Sequence, residues 1–156
     1  MDIKNTDHTE KHLPIWLDNF LHVYQSLGVD NLSLLTKVYH NNITFIDPMH
    51  RIEGLDKLNN YFQGLYQNLS HCHFDIENYI YQDDQAAIYW SMSYQHKSLN
   101  QGKVVTVQGS SHIKGVGDKV IFHRDYLDLG AMLYEQLPVV GKLTQWIKRK
   151  AVSNVC

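Results

Sequence analysis

Cysteine is scarce in this sequence, and its scarcity argues against a disulfide-stabilised fold. The 156 residues include two cysteines, Cys72 within a strand pattern and Cys156 at the end. Two cysteines so placed form no disulfide framework and agree with a reducing compartment. Long apolar runs are also lacking: none approaches the ~20 residues of a membrane-spanning helix, and the first residues are too polar for a signal peptide. We therefore predict a cytoplasmic protein.

An excess of charge of one sign is also missing. The chain has 14 basic and 16 acidic residues, which give a net charge of −2. A nucleic-acid-binding protein usually carries a basic patch or stripe, and only the last turn of this chain is locally basic. We predict no nucleic-acid partner.

Metal-ligand spacing is absent as well, although the chain has ten histidines. His8 and His12 lie in a polar leader, while His71 and His73 share one strand face without further ligands. Two ligands do not make a closed or catalytic zinc site. No Gly-x-Ser-x-Gly nucleophile motif and no phosphate-binding loop at a helix start occur either. We predict no metal and no cofactor.

Aromatic residues, in contrast, are plentiful. Ten tyrosines, five phenylalanines and three tryptophans accompany a hydrophobic content of 44%. The length suits one domain with a sizeable core. Such a stock of large amphipathic side chains favours a ligand pocket or an aromatic interface.

The first half of the chain has helical periodicity, with apolar residues three and four apart. This spacing predicts helices over residues 13–27, 31–39 and 55–69. Between the second and third helices, an apolar strand runs from Ile43 to Asp47 and is stopped by Pro48.

After Ser70 the period changes to two, which predicts a sheet of four strands. Short turns connect them, so neighbours should be antiparallel. We expect Phe74, Ile76 and Ile80 on one face of the first of these strands. On the third, one face should carry Val105, Val107, Gly109, Ser111 and Ile113. The three helices are what the chain offers to cover the sheet.

The tail from residue 132 to 150 has a broad apolar stripe that includes Leu133, Leu143 and Trp146, and it ends in the basic run Lys148–Lys150. We expect a helix broken near Pro138. The stripe either closes the core or meets a second subunit, and we favour these two readings over contact with a membrane surface, which stays possible.

Asp47 is the most informative single residue. By the two-residue period it shares a face with Ile43 and Phe45, so a carboxylate lies on a face that otherwise reads as core. In a cavity such a group is a candidate base. The alternative is an aspartate that accepts turn hydrogen bonds beside Pro48.

Four further polar residues lie on otherwise apolar faces: Tyr24, Ser111, His123 and Asp125. Each alone is more simply a satisfied core residue. Together, two carboxylates (with Asp47), an imidazole and a phenol converging in one apolar chamber suggest a functional site.

The order of elements, with a strand that ends in Asp-Pro ahead of a helix containing Tyr61-Phe62, resembles the nuclear transport factor 2-like superfamily over about residues 12–130. The resemblance implies an α+β fold in which a cone-shaped, strongly bent, mostly antiparallel sheet wraps around three N-terminal helices. Outside that range, the composition predicts a polar, disordered leader over residues 1–11 and an amphipathic C-terminal helical tail over residues 131–156. The likeness also implies a homodimer through the outer sheet face.

Residues Val38–Pro48 look like the segment of ketosteroid isomerase that bears its general base, so the resemblance places Asp47 at that position. It places Tyr24 at the oxyanion-hole tyrosine and Ser111 where the isomerase has a protonated aspartate. Phe62 replaces a supporting tyrosine.

The segment His123–Asp128 instead resembles the last strand of limonene-epoxide hydrolases, in which Asp125 takes the position of a pocket aspartate. Met92 and Tyr94 fall where those hydrolases have an arginine and an aspartate, so their water-activating constellation is absent. SnoaL-like polyketide cyclases are similar in architecture.

These observations predict a small-molecule binding protein with a deep apolar pocket, capable of isomerase- or cyclase-like proton transfer on an apolar carbonyl compound. Asp47 is the expected base, Tyr24 and Ser111 are oxyanion donors, and His123 with Asp125 is a second polar pair. The expected pocket-lining residues are Trp16, Phe20, Tyr39, Phe45, Phe62, Trp90, Met92 and Tyr94. The alternative is a non-catalytic ligand-sensing or dimeric interaction module.

Overall fold

The computed structural model describes residues 12–153, which form one α+β unit. The leader predicted for residues 1–11 lies outside the described residues, as do residues 154–156. The helices are α1 (Ile15–Ser26), α2 (Leu35–Val38), α3 (Leu55–Tyr66), α4 (Leu129–Met132) and α5 (Pro138–Ser153). The strands are β1 (Tyr39–Ile46), β2 (Arg51–Glu53), β3 (Leu69–Gln82), β4 (Gln85–His96), β5 (Val105–Val116) and β6 (Lys119–Leu127). Short 3₁₀ turns occur at Leu32–Leu34, Asn100–Gly102 and Tyr134–Gln136.

The six strands form one sheet in the order β2-β1-β6-β5-β4-β3. Strands β3 to β6 are the predicted antiparallel meander, and β1 joins it in parallel to β6. The predicted sheet therefore gains two strands from the helical half of the chain. Since β1 and β6 are distant in sequence, no short turn signals their pairing.

Bulges bend the sheet and decide which side chains face inward. In β3 the register slips between Ile76 and Asn78, so the inward face passes from Phe74 and Ile76 to odd-numbered residues. Ile80, predicted on the same face as Phe74, is 62% exposed for this reason. That prediction was wrong, because periodicity alone does not reveal a bulge.

Helix α1 lies across the concave face of the sheet and buries the predicted stripe from Trp16 to Tyr24. The second helix is shorter than predicted, because Tyr39 already begins β1 and residues 32–34 are a 3₁₀ turn. The third ends at Tyr66, and Leu69 already belongs to β3. The predicted cone-shaped architecture of a bent sheet around N-terminal helices is confirmed.

Two glycines on β5 provide room for tryptophan rings on the inner face. Gly109 is paired with Trp90 on β4, and a Cβ built on Gly109 would lie 2.3 Å from the indole. A Cβ on Gly115 would lie 2.1 Å from the Trp16 ring. Both indoles therefore lie directly on the β5 backbone, which no larger residue permits without displacement.

The tail divides at Pro138, close to the predicted break. Met132, Leu133 and Leu137 pack partly on the core, whereas the apolar residues of α5 beyond Pro138 are exposed. Of the two favoured readings of the stripe, closure of its own core does not hold for α5, and contact with a second subunit stays a prediction.

The close approach of Trp90 to Gly109 makes a stability prediction. Gly109→Ala should lower the free energy of unfolding by about 1–3 kcal/mol, because the added methyl overpacks the inner face and displaces the indole. Urea denaturation measures this. The matched control is Gly64→Ala in α3, where no atom lies within 4 Å of the new Cβ. There alanine should stabilise the helix by up to about 1 kcal/mol. Equal stability of Gly109→Ala and wild type would contradict the packing described here.

Candidate functional site

The site lies between α1 and the concave face of the sheet, around a narrow cavity. The cavity is lined by Phe20, Tyr24, Phe74, Ile76, Ile88, Trp90, Ser111 and Asp125. Its free space is about 10 Å³, close to the ~10–15 Å³ that one water molecule requires. In this conformation the cavity is therefore much smaller than the deep pocket expected from the sequence.

Strand register brings the polar residues of β5 and β6 together. Ser111 is paired directly with Asp125, and His123 is two residues before Asp125 on the same face. Side chains at such positions are neighbours on one surface of a sheet. Ser111 is 3% exposed and His123 is 1% exposed, so both must find hydrogen-bond partners within the protein.

Asp125 is the acceptor at the centre of this group. Its Oδ1 accepts the Ser111 hydroxyl at 2.5 Å and lies 2.7 Å from His123 Nε2. The Trp90 indole N–H in turn donates to Ser111 Oγ at 2.8 Å. Among residues 12–153, no donor is hydrogen-bonded to the second carboxylate oxygen, Oδ2. Asp125, which lines the cavity, thus has one oxygen held by two neighbours and one that those neighbours leave open.

On its other side, His123 continues the chain toward α1. Its Nδ1 lies 2.6 Å from the Tyr39 hydroxyl, which lies 2.5 Å from the Tyr24 hydroxyl. We call the series Trp90, Ser111, Asp125, His123, Tyr39 and Tyr24 the buried polar chain. Four of its members line the cavity: Tyr24 and Asp125, with Ser111 and Trp90.

Burial keeps the two phenols protonated. Desolvation raises the pKa of Tyr24 well above its usual value near 10, and the nearby charge of Asp125 raises it further. Desolvation is also the largest cause that raises the pKa of Tyr39, followed by the neighbouring Tyr24. Both hydroxyls are therefore neutral hydrogen-bond donors at any physiological pH.

The protons of the buried polar chain have two consistent arrangements. If His123 is neutral and donates from Nε2 to Asp125, Nδ1 accepts from Tyr39, and Tyr39 accepts from Tyr24. If both nitrogens of His123 carry a proton, Nδ1 donates to Tyr39 and Tyr39 donates to Tyr24. The Tyr24 proton then points into the cavity. The direction of the hydrogen bond between His123 and Tyr39 thus sets whether the Tyr24 hydroxyl offers a lone pair or a proton to a ligand.

Asp47 lies apart from this chain and outside the cavity lining. Its Oδ1 accepts the backbone amides of Met49 and His50 at 2.8 and 2.7 Å, and its Oδ2 accepts a short hydrogen bond from Tyr61. Pro48, which lies between Asp47 and Met49 in the sequence, is exposed. This is the geometry of the turn alternative, in which the carboxylate caps the reversal between β1 and β2.

The hydrogen bond to Asp47 also helps to keep Tyr61 protonated. Desolvation raises the pKa of Tyr61, and the hydrogen bond to Asp47 raises it further. Tyr61 is therefore a permanent donor, and the pair is held at the turn. The sequence missed Tyr61 as a partner because it lies in a helix stripe that reads as core.

The predicted aromatic lining is divided between the cavity and the packing behind it. Phe20 and Trp90 line the cavity. Phe45 packs edge-on against His123 and Phe62, with ring centroids 5.0 and 5.5 Å apart. Trp16 covers Gly115 instead.

The other predicted lining residues are also placed elsewhere. Tyr39 is a link of the buried polar chain, Met92 is half-buried outside the lining, and Tyr94 is 5% exposed and donates to the Met132 carbonyl. Three lining residues were not predicted: Phe74, Ile76 and Ile88. Their alternation with polar residues predicted that they lie on the inner face, and this pattern could have identified them as lining residues.

A protein-family model described as the SnoaL-like domain matches residues 20–123. No curated protein sequence matches the chain at a significant level. The structure is similar to a proposed SnoaL-like polyketide cyclase from Jannaschia sp. CCS1, with a TM-score of 0.67 and 13% identity. That match covers 85% of this chain and 95% of the other.

Two further solved structures are similar and contain small molecules. One is a hypothetical protein with a ketosteroid isomerase-like fold from Catenulispora acidiphila DSM 44928, in complex with trimethylamine; its TM-score is 0.68 at 14% identity, covering 81% of this chain and 96% of that one. The other is TerC co-crystallised with polyporic acid, with a TM-score of 0.64 at 11% identity, covering 76% and 95%. These likenesses show the fold.

The hydrogen bonds of Asp47 predict a structural contribution. Asp47→Ala should lower the free energy of unfolding by about 1–3 kcal/mol, because two amides and the Tyr61 hydroxyl lose their acceptor. Asp47→Asn retains one oxygen for the amides and should lose less. Thermal and urea melts measure both, with Tyr61→Phe as the control that removes one donor only. An Asp47→Ala variant as stable as wild type would restore the prediction that this carboxylate is free to act as a base.

The raised phenol pKa values predict a stability profile at high pH. A group whose pKa is higher in the folded state holds its proton there while the unfolded chain releases it, so stability falls as pH rises above about 10. In Tyr24→Phe this fall should be shallower by about 1.4 kcal/mol per pH unit. Urea melts between pH 9 and pH 11.5, values chosen as roughly bracketing the tyrosine pKa, measure the slope. Tyr89→Phe, at an exposed strand position, controls for the loss of a hydroxyl, and equal slopes for Tyr24→Phe and wild type would contradict the burial argument.

Proposed function

The chain belongs to the SnoaL-like domain family, within the nuclear transport factor 2-like superfamily, and from this premise we propose that its cavity binds an apolar carbonyl compound and moves protons on it. The observation that carries the proposal is that Tyr24 and Asp125, at separate points of one buried polar chain, line the same apolar cavity. A donor and a base on one cavity are the minimum for enolisation.

Asp125 takes the role of base that the sequence had suggested for Asp47. Its Oδ1 is held by Ser111 and His123, which leaves Oδ2 to approach a carbon-bound proton. The Ser111 hydroxyl donates to Asp125, so Ser111 acts as a positioning residue in place of the predicted oxyanion donor. Trp90 fixes Ser111 in turn.

Tyr24 supplies the hydrogen bond to the carbonyl oxygen. In the arrangement where His123 Nδ1 donates, donation runs from His123 to Tyr39, from Tyr39 to Tyr24, and from Tyr24 to the ligand. Asp125 Oδ2 then takes a proton from the carbon adjacent to the carbonyl, the C–H electron pair forms a C=C bond, the carbonyl π pair moves onto the oxygen, and Tyr24 stabilises the resulting enolate. Return of the proton from Asp125 to another carbon completes an isomerisation. Attack of the enolate carbon on a second carbonyl forms a C–C bond and an alkoxide, and transfer of the Asp125 proton to that alkoxide completes a ring closure.

The ligand is expected to displace Phe74 and Ile76. Both line the cavity, both are half-buried, and both belong to β3, the edge strand that is paired on one side only. Edge-strand side chains move at lower cost than those of a central strand, because their packing is incomplete. Apolar contact with Phe20, Phe74 and Trp90 then favours a ring-containing compound.

The second candidate function is ligand binding without turnover. The observation in its favour is the small cavity, which presents no preformed room for a substrate. The predicted homodimer also belongs with this proposal: Tyr89 and Tyr126, both exposed, lie in line across β4, β5 and β6 on the outer face and suit a subunit contact.

Turnover of a β,γ-unsaturated cyclic ketone, followed by absorbance of the conjugated product, tests the proposal. We expect Asp125→Asn to lower kcat about 100-fold or more, because the base is lost, and Tyr24→Phe about 10- to 1000-fold, because an enolate donor is lost. Asp47→Asn is the matched carboxylate control and should retain turnover.

Native mass spectrometry of the freshly purified protein separates the two candidate functions. A retained apolar compound whose binding weakens in Tyr24→Phe, with no turnover of the ketone, would support the binding module. Loss of turnover in Asp47→Asn and retention in Asp125→Asn would reject the assignment of Asp125 as base.

A further inference from the structure

Helix α5 packs on its own domain through its polar side. A Cβ built on Gly141 would lie 2.4 Å from the carbonyl oxygen of Glu135, so the helix backbone approaches the 3₁₀ turn at residues 134–136 closely. About two turns further on, Lys148 forms a short ion pair with Glu135 and lies 3.8 Å from Asp128. Gly141 and Lys148 lie on the same side of the helix, seven residues apart.

The opposite side of α5 is apolar and exposed. Its side chains are Val139 (80% exposed), Val140 (40%), Leu143 (54%), Trp146 (52%) and Ile147 (53%). Their spacing of three and four residues puts them on one arc of the helix surface. We call this set the outer apolar arc. An amphipathic helix ordinarily turns its apolar side to its own core, and here the orientation is reversed.

The charges of α5 are all of one sign. The helix contains Lys142, Lys148, Arg149 and Lys150 and no carboxylate, whereas the whole chain has a net charge of −2. Lys142 and Arg149 lie seven residues apart at one border of the outer apolar arc. The Lys150 ammonium lies 5.9 Å from the centre of the Trp146 ring. A tryptophan with flanking cations beside an apolar arc is the arrangement that suits the boundary between lipid headgroups and acyl chains.

We propose that α5 binds the surface of an anionic lipid bilayer, with the outer apolar arc inserted at the headgroup boundary. Lys142 and Arg149, which we call the basic border, then contact the lipid phosphates. The positive charges of α5 are complementary to an anionic bilayer, and this favours a lipid surface as the binding partner. A second copy of the chain docking α5 against α5 would bring two cation-only helices together, which is electrostatically unfavourable. No helix among residues 12–153 is long and apolar enough to span a membrane, and a helix of this length with a polar side lies in the interface plane.

Trp146 provides a direct spectroscopic readout in the full chain. Trp16 and Trp90 are each 5% exposed, whereas Trp146 is 52% exposed. Adding vesicles of phosphatidylglycerol and phosphatidylcholine in equal parts should therefore shift the tryptophan emission to the blue, and the protein should sediment with the vesicles. Vesicles of phosphatidylcholine alone should bind much less, and added salt should weaken binding.

Paired variants separate the apolar and the charged contributions. Leu143→Gln with Ile147→Gln should abolish co-sedimentation, because the outer apolar arc is lost. The matched control is Val104→Gln with Val116→Gln, which changes two residues of similar exposure (52% and 47%) outside the helix and should leave binding unchanged. Lys142→Gln with Arg149→Gln should weaken binding to the anionic vesicles roughly 10- to 30-fold.

Three results would overturn the proposal. The first is wild-type protein that stays in the supernatant with anionic vesicles. The second is equal binding to phosphatidylcholine vesicles, which would remove the role of the basic border. The third is a dimer that dissociates in the Leu143→Gln, Ile147→Gln variant, seen by sedimentation velocity without lipid and together with no vesicle binding, which would make α5 an interface between copies of this chain.

Discussion

The partial burial of the Asp125 carboxylate on the concave face, where its side chain is 18% exposed, is the constraint on which the centre of this structure depends. A carboxylate partly removed from water loses hydration that hydrogen bonds must replace, and here Ser111 and His123 supply them to Oδ1. Each donor is itself buried and needs a partner, so the requirement passes outward to Trp90 and to Tyr39. No buried side-chain nitrogen or oxygen within residues 12–153 lacks a partner. One polar group thereby ties β1, β4, β5 and β6 to helix α1.

The same constraint explains features of the packing that otherwise look incidental. The Trp90 indole reaches Ser111 only by lying across β5, and Gly109 is the residue that leaves this path open. His123 is surrounded by aromatic rings, including Phe20 at 5.5 Å and Phe45 at 5.0 Å, which exclude water from the imidazole. A dry surrounding strengthens each hydrogen bond of the chain and makes an unpaired member expensive. The arrangement that stabilises the core thus also holds Asp125 and Tyr24 at the cavity, where the proposed proton transfer requires them.

Sequence periodicity predicted the faces of strands well and their ends poorly. We predicted a functional site from polar residues on otherwise apolar faces. That rule selected Ser111, His123, Asp125 and Tyr24, and the structure brings all four together. The rule failed for Asp47, because β1 ends at Ile46 and alternation carries no information beyond a strand's last residue. It failed for Ile80 because of the bulge before Asn78. The parallel pairing of β1 with β6 and the size of the cavity depend on distant contacts and side-chain rotamers, neither of which local pattern encodes.

Helix α5 shows a different limit of the same reasoning. Periodicity predicts that a helix is amphipathic, and the usual inference is that its apolar side faces the core. Which side packs is decided by the closest approach that the residues allow, and Gly141 permits a backbone contact with Glu135 that the bulkier apolar side does not match. The ion pair of Lys148 with Glu135 then fixes that orientation. A contiguous apolar arc exposed to water marks an interaction site. Because α5 is fixed with this arc outward, burial of the arc can stabilise binding to a surface outside the chain.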